Sequence, residues 1–291
     1  MTHSDQTLTA GDVARKPSNA EVDVYGLTHA GHLRTVNEDN FLIASLHKKV
    51  DVHFSSLQGE LLAASDDDRL AVIAVVADGV GGGEQGELAS RLAIAAASRY
   101  ITETMRCYYG ASTDEATFTA ALQTAAQNCH EAVCRHAEAE GVRNMATTLT
   151  LFLGVWPSIY VLQVGDSRYY QFRNCVLRQI SRDQTMAQDL VDLGVLPADR
   201  AQQSRLANVL SSAIGGHTTA PIVTRLENAW GSVHLLCSDG LVKHVSDTRI
   251  AEVLSGMTSS KQACELLLQE ALDGGGSDNI TIIVGRAHAA D

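Results

Sequence analysis

The sequence predicts an α+β fold, a four-layer αββα sandwich of two mainly antiparallel sheets flanked by helices. Short apolar runs bounded by Gly, Asp or Asn recur along the chain and have the length and residue types of strands. Two long Ala-rich helical patterns follow one another instead of alternating with strands. Strands grouped on either side of a helical pair favour antiparallel sheets with helices outside them over a doubly wound parallel sheet.

Residues 1–20, MTHSDQTLTAGDVARKPSNA, are polar and contain Pro, Ser and Asn, so a flexible tail is expected ahead of one domain spanning 21–291. Strand-like alternation begins in VDVYGLTHA, and NFLIAS follows at 40–45. The segment 46–69 is too long for a hairpin and is expected to be a surface excursion, its Asp66–Asp68 run a solvated turn. LAVIAVVA at 70–77 precedes helical patterns at 87–105 and 115–140, rich in strong helix formers. TTLTLFLGV (147–155), SIYVLQVG (158–165) and RYYQFRNCVLRQI (168–180) are read as successive strand runs. SVHLLCS (232–238), helices at 247–255 and 259–272, and NITIIVG (279–285) complete the order.

The 45% apolar fraction of the 291 residues can build a substantial core. The longest apolar stretches fall far short of the roughly 20 residues of a membrane span, and the N-terminus lacks an apolar signal core. A cytoplasmic protein without a membrane partner is therefore expected. Six cysteines without a C-x-x-C pair are read as reduced core residues rather than zinc or disulfide partners. A net charge of −12 opposes nucleic acid, whereas it suits divalent cations.

Asp78, Asp166 and Asp239 each follow an apolar run, in VIAVVADG, YVLQVGDS and VHLLCSDG, and so mark strand exits. Asp39 and Asp278 precede runs, in NEDNFLIAS and SDNITIIVG, and mark entrances. In antiparallel sheets exits and entrances share an edge, so five carboxylates, with Glu38 beside Asp39, can gather there. Alone, each Asp reads as a turn residue. Together they would repel one another unless cations neutralised them, and oxygen-only ligands select hard ions such as Mg²⁺ or Mn²⁺. The glycines of ADGVGGGEQGE let the backbone approach a metal or phosphate, and the helix beginning near Gly86 turns its positive dipole end toward it. Arg34, just before the carboxylate pair, has a planar fork suited to two phosphate oxygens.

Taken in order, R-T-V-N-E-D at 34–39, A-D-G-V-G-G-G at 77–83, M-A-T-T-L-T at 145–150, V-G-D-S-R at 164–168, C-S-D-G-L at 237–241 and G-S-D-N-I-T at 276–281 resemble the metal-dependent protein serine/threonine phosphatases, the PPM or type 2C family, especially its bacterial members. The resemblance spans about residues 21–286. It implies a β-sandwich with two Mn²⁺ or Mg²⁺ ions at one end, and a third in many bacterial members. Asp78 would bridge both ions, the Gly79 carbonyl would bind the first, and Asp239 and Asp278 the second. Glu38 and Asp39 would act directly or through water, and Asp166 with Asp239 would hold the third. Residues 181–215 match the flap, where relatives differ in substrate choice.

The implied reaction is hydrolysis of phosphoserine and phosphothreonine in proteins by a hydroxide activated between two divalent ions. Phosphorylated proteins and a cognate kinase are the implied partners, and a monomer is expected. Well-studied animal members carry a His after the D-G step; here Val80 stands there, leaving a metal-bound water as the leading general acid. Many members also carry a His where Gln184 stands. His29 and His32, near the Arg34 loop, are isolated. A catalytically silent PPM-fold module is one rival; a metal-dependent nuclease or small-molecule phosphatase is the other.

Overall fold

A computed structural model describes residues 15–48, 68–81, 83–104 and 115–288. Expectations for residues 1–14 and for most of the 46–69 excursion, Asp66 and Asp67 included, lie outside the described residues. One five-stranded antiparallel sheet has the order β1 (Val22–His29), β12 (Ile280–Ala287), β11 (Val233–Cys237), β8 (Arg168–Arg173), β9 (Val176–Gln179). The second runs β10 (Ile222–Glu227), β7 (Ser158–Val164), β6 (Leu149–Val155), β3 (Asp68–Ala77), β2 (Asn40–Lys48). A small ladder pairs β4 (Gly79–Val80) with β5 (Ala146–Thr147).

Period-2 side-chain alternation explains why β3 and β12 read as unbroken apolar runs. Along β3, Ala71, Ile73 and Val75 pack against α1 (Glu84–Arg99) and α2 (Glu115–Glu140), while Ala74 and Val76 face the opposing sheet. Along β12, Ile280, Ile282 and Val284 meet α5 (Asp247–Ser255) and α6 (Ser260–Asp273), and Ile283 turns inward. A strand covered on both faces has no polar side to show. Fully buried Leu149, Leu151 and Leu235 each contribute roughly 1.5–3 kcal/mol through that burial. Helices therefore sit outside both sheets, and the αββα expectation agrees with the architecture.

Several local expectations differ. RYYQFRNCVLRQI is a hairpin, β8 and β9, turning at Asn174 and Cys175, whose φ values of 51° and 60° are those a two-residue type I′ turn requires. Cys175 is thus exposed, whereas Cys129, Cys237 and Cys264 are buried and free. β10 gave no strong apolar signal because it is an edge strand, half exposed along its length. The segment 15–20, expected within a flexible tail, is tied down: Arg69 donates to Pro17 O at 2.7 Å and to Asn19 Oδ1 at 2.8 Å. Among the described residues no helix is long and apolar enough to cross a membrane.

Candidate metal centre

The end of the sandwich where β3, β7 and β11 finish and β2 and β12 begin opens into a cavity of about 500 Å³. Arg34, Glu38, Asp78, Gly79, Asp166, Asp239 and Asp278 line it, brought together from across the sequence. Asp39 is not part of the lining and is 3% exposed.

Backbone hydrogen bonds fix the approach of each group. Asp78 N–H donates to Thr148 Oγ1 (2.9 Å), and its carbonyl accepts from Thr148 N–H and Thr147 Oγ1, both 2.9 Å. Gly79 N–H donates to the Glu38 carbonyl at 3.2 Å. The Glu38 side chain lies at the start of α1, accepting from Gly83 N–H at 2.6 Å, where the helix dipole favours a carboxylate. Gly86 makes this possible, because a Cβ there would stand 1.8 Å from Glu38 Oε2. Gly165, at φ 102°, donates to Gln184 Oε1 at 2.6 Å just before Asp166. Gln184, 4% exposed, is thus a buried clamp on that loop.

Asn279, a residue the sequence reading did not single out, ties the β1–β2 loop to the start of β12. Its Nδ2 donates to Ala30 O and Val36 O, both at 3.0 Å, and its Oδ1 accepts from Glu38 N–H at 2.8 Å. Asp39 Oδ2 accepts from Ser238 Oγ and Thr281 Oγ1, both at 2.7 Å. Asp39 Oδ1 and Asp239 Oδ1 are buried and have no partner among the described residues.

Burial, then the mutual repulsion of the acids, raises their pKa values. Asp78 is pushed well above the usual carboxylate range by burial and by Asp39, Asp239, Asp166 and Asp278. Burial raises Asp39 to about 6, although Ser238 and Thr281 hydrogen-bond its charged form. Burial and Asp239 raise Asp166 to about 7. Asp278 moves the other way: its partial burial is outweighed by hydrogen bonds from Lys243 and Arg34.

Two cations reach into this field. The Arg34 fork grips Asp278, with Nε 2.8 Å from Oδ1 and an η-nitrogen donating to Oδ2 at 3.1 Å. Lys243 escaped the sequence reading; its Nζ lies 2.6 Å from Asp239 Oδ2 and 2.7 Å from Asp278 Oδ2. Its i,i+4 spacing from Asp239 was the available signal. Among the described residues no three acidic, His or Cys side chains already enclose a single ion site. The orphaned oxygens of Asp39 and Asp239, in an all-oxygen donor set, nevertheless fit hard divalent ions.

The expected flap, 181–215, holds a short helix, α3 (Met186–Asp192), and returns so that Asn208, Val209, Leu210 and Ala213 form a wall of the cavity. Val80 lines the floor and is 42% exposed. Among the described residues no histidine belongs to the lining; His29 Nδ1 instead accepts from Gly31 N–H at 2.9 Å.

The family described as protein phosphatase 2C matches residues 58–274. That match leaves out Arg34, Glu38, Asp39 and Asp278, which the fold brings to the same end. The chain is 34% identical over 230 residues to the serine/threonine protein phosphatase PstP of Mycobacterium tuberculosis, covering 77% of this chain and 42% of that protein. It therefore spans less than half the length of that relative. With the serine/threonine phosphatase stp of Listeria monocytogenes it shares 29% identity over 214 residues, 73% of this chain and 83% of that one. The crystal structure of M. tuberculosis PstP/Ppp superposes with a TM-score of 0.74 at 29% identity, covering 92% of this chain and 99% of that one. The PstP catalytic domain in complex with two manganese ions gives 0.70 at 28% identity, covering 92% and 99%.

Proposed function

Because the chain belongs to the protein phosphatase 2C family, we propose that it hydrolyses phosphoserine and phosphothreonine in proteins, with Mn²⁺ or Mg²⁺ held by its buried carboxylates. The observation that carries this is the convergence of five acids on one cavity, with Asp39 buried behind them and two buried carboxylate oxygens unsatisfied among the described residues. Asp78, the Gly79 carbonyl, Asp239 and Asp278 are the proposed direct ligands. Glu38, Asp39 and Asp166 are proposed to hold water-linked or additional positions.

Two bound divalent ions would supply an activated water and neutralise charge on the phosphate. The chain supplies position. Thr147 and Thr148 lock the Asp78 backbone, and Asn279 pins the loop that carries both Arg34 and Glu38. Arg34, exposed at the rim, can turn its fork from Asp278 to two phosphate oxygens. Val80 cannot donate a proton and, among the described residues, no histidine lines the cavity, so water is the proposed proton donor to the leaving oxygen. Asn208, Val209 and Leu210 shape the entrance through which a phosphorylated segment must pass. The reading includes a monomeric cytoplasmic enzyme acting on the products of a serine/threonine kinase.

Phosphate release from a phosphothreonine peptide tests it, with Mn²⁺, with EDTA and in Asp239→Asn. Release should require Mn²⁺ and fall on the order of 10²–10³-fold in the variant. Equal release in all three would remove the reading; metal binding without release by the unmodified protein would leave a silent module.

A further inference from the structure

We propose that Lys243 is a resident counter-ion that competes with a divalent metal ion for Asp239 and Asp278. This rests on reading the carboxylates as a metal site. Lys243 closes α4 (Asp239–Val242), with its backbone N–H on the Asp239 carbonyl at 3.0 Å, so the helical turn aims its stem at the Asp239 side chain. The ammonium then bridges Asp239 Oδ2 and Asp278 Oδ2 at 2.6 and 2.7 Å.

The remaining oxygens show what this does. Asp278 Oδ1 is taken by Arg34 Nε at 2.8 Å and by Asn279 N–H at 3.0 Å, so both its oxygens are engaged. Asp239 keeps one buried oxygen, Oδ1, without a partner. An ion that needs both residues finds Asp239 ready and Asp278 occupied. A divalent ion within bonding distance of these oxygens would repel an ammonium held at 2.6–2.7 Å from them, and the ammonium must withdraw.

Lysine is suited to withdrawing, because its four-carbon stem is flexible where an arginine fork is rigid. The side chain is 28% exposed, and a neighbouring cavity of about 250 Å³ leads away from Asp239 toward Asp166 and Asp183. The ammonium therefore has both water and carboxylates to move to. In the metal-free protein it offsets repulsion among the acids; during loading it sets how much metal is needed.

Calorimetric titration of the EDTA-treated full chain with Mn²⁺ tests this, comparing the unmodified protein with Lys243→Met, Lys243→Gln and Lys243→Arg. The two neutral variants guard against one failing to fold. Both should bind Mn²⁺ about tenfold more tightly at the weaker site, while the arginine variant shows no such gain. Unaltered or weaker Mn²⁺ affinity in a folded neutral variant overturns the proposal. If the unmodified protein takes up no Mn²⁺, the metal-site reading falls and this inference with it.

Discussion

At the end of the sandwich where β1 begins, Arg69 is 7% exposed and its guanidinium is met by Pro17 O and Asn19 Oδ1. Beside it Glu21, 5% exposed, accepts from Arg15 at 2.7 Å and from Ser18 N–H at 2.8 Å, and its pKa is lowered by them. The cavity there is apolar and about 80 Å³. At the other end five acids line a cavity of about 500 Å³, Asp39 lies buried among them, and two buried oxygens have no partner among the described residues. Both ends bury charge. Where each charge meets its complement within the chain, burial serves the fold; where charges of one sign are left in excess, the fold bears a strain that a ligand can relieve.

The sharpest way to break this contrast is to delete one charge at each end. Arg69→Ala should destabilise the protein by about 2 kcal/mol, since Pro17 O and Asn19 Oδ1 lose a buried donor. Urea unfolding measures it, and Mn²⁺-dependent activity per folded molecule should be unaltered. A neutral outcome would deny that this end is held by its pairing. Asp78→Asn should do the reverse in EDTA, stabilising the metal-free protein by about 1 kcal/mol because repulsion is removed, and should abolish the thermal shift produced by Mn²⁺. Loss of stability in EDTA would mean that the Asp78 charge is not in excess.

The same excess of acids sets the pH dependence. Burial lifts Asp39 to about 6 and Asp166 to about 7 in the folded, metal-free protein, against roughly 3.9 in the unfolded chain. Between these values the folded state binds more protons than the unfolded one, so stability falls as pH rises from roughly 4 to 7. Thermal unfolding in EDTA across that window should show a clear decline in Tm that Mn²⁺ flattens. A rise would show that the acids are already neutralised within the chain.

Much of the architecture was legible because burial leaves a period in the sequence. LAVIAVVA and NITIIVG are unbroken because helices cover the sheets from outside, and the helical stretches 247–255 and 259–272 agree with α5 and α6 to within a residue. β10 was not legible, since an edge strand needs no continuous apolar face. The β8–β9 turn was missed because Asn174 and Cys175 lack the glycine that usually announces positive φ.

Which acids stand at strand ends follows from local sequence, because apolar runs stop where the chain must turn, and antiparallel pairing then puts those ends on one edge. How the acids are balanced depends instead on contacts between distant segments. Asn279 joins loops some 240 residues apart in sequence, through Glu38 and Val36. Gly86 is required by a side chain from another segment, and Lys243 stands between Asp239 and Asp278. Strand ends follow from local patterns of burial, but the partner of a buried charge depends on which distant segments the two sheets bring within a few ångströms.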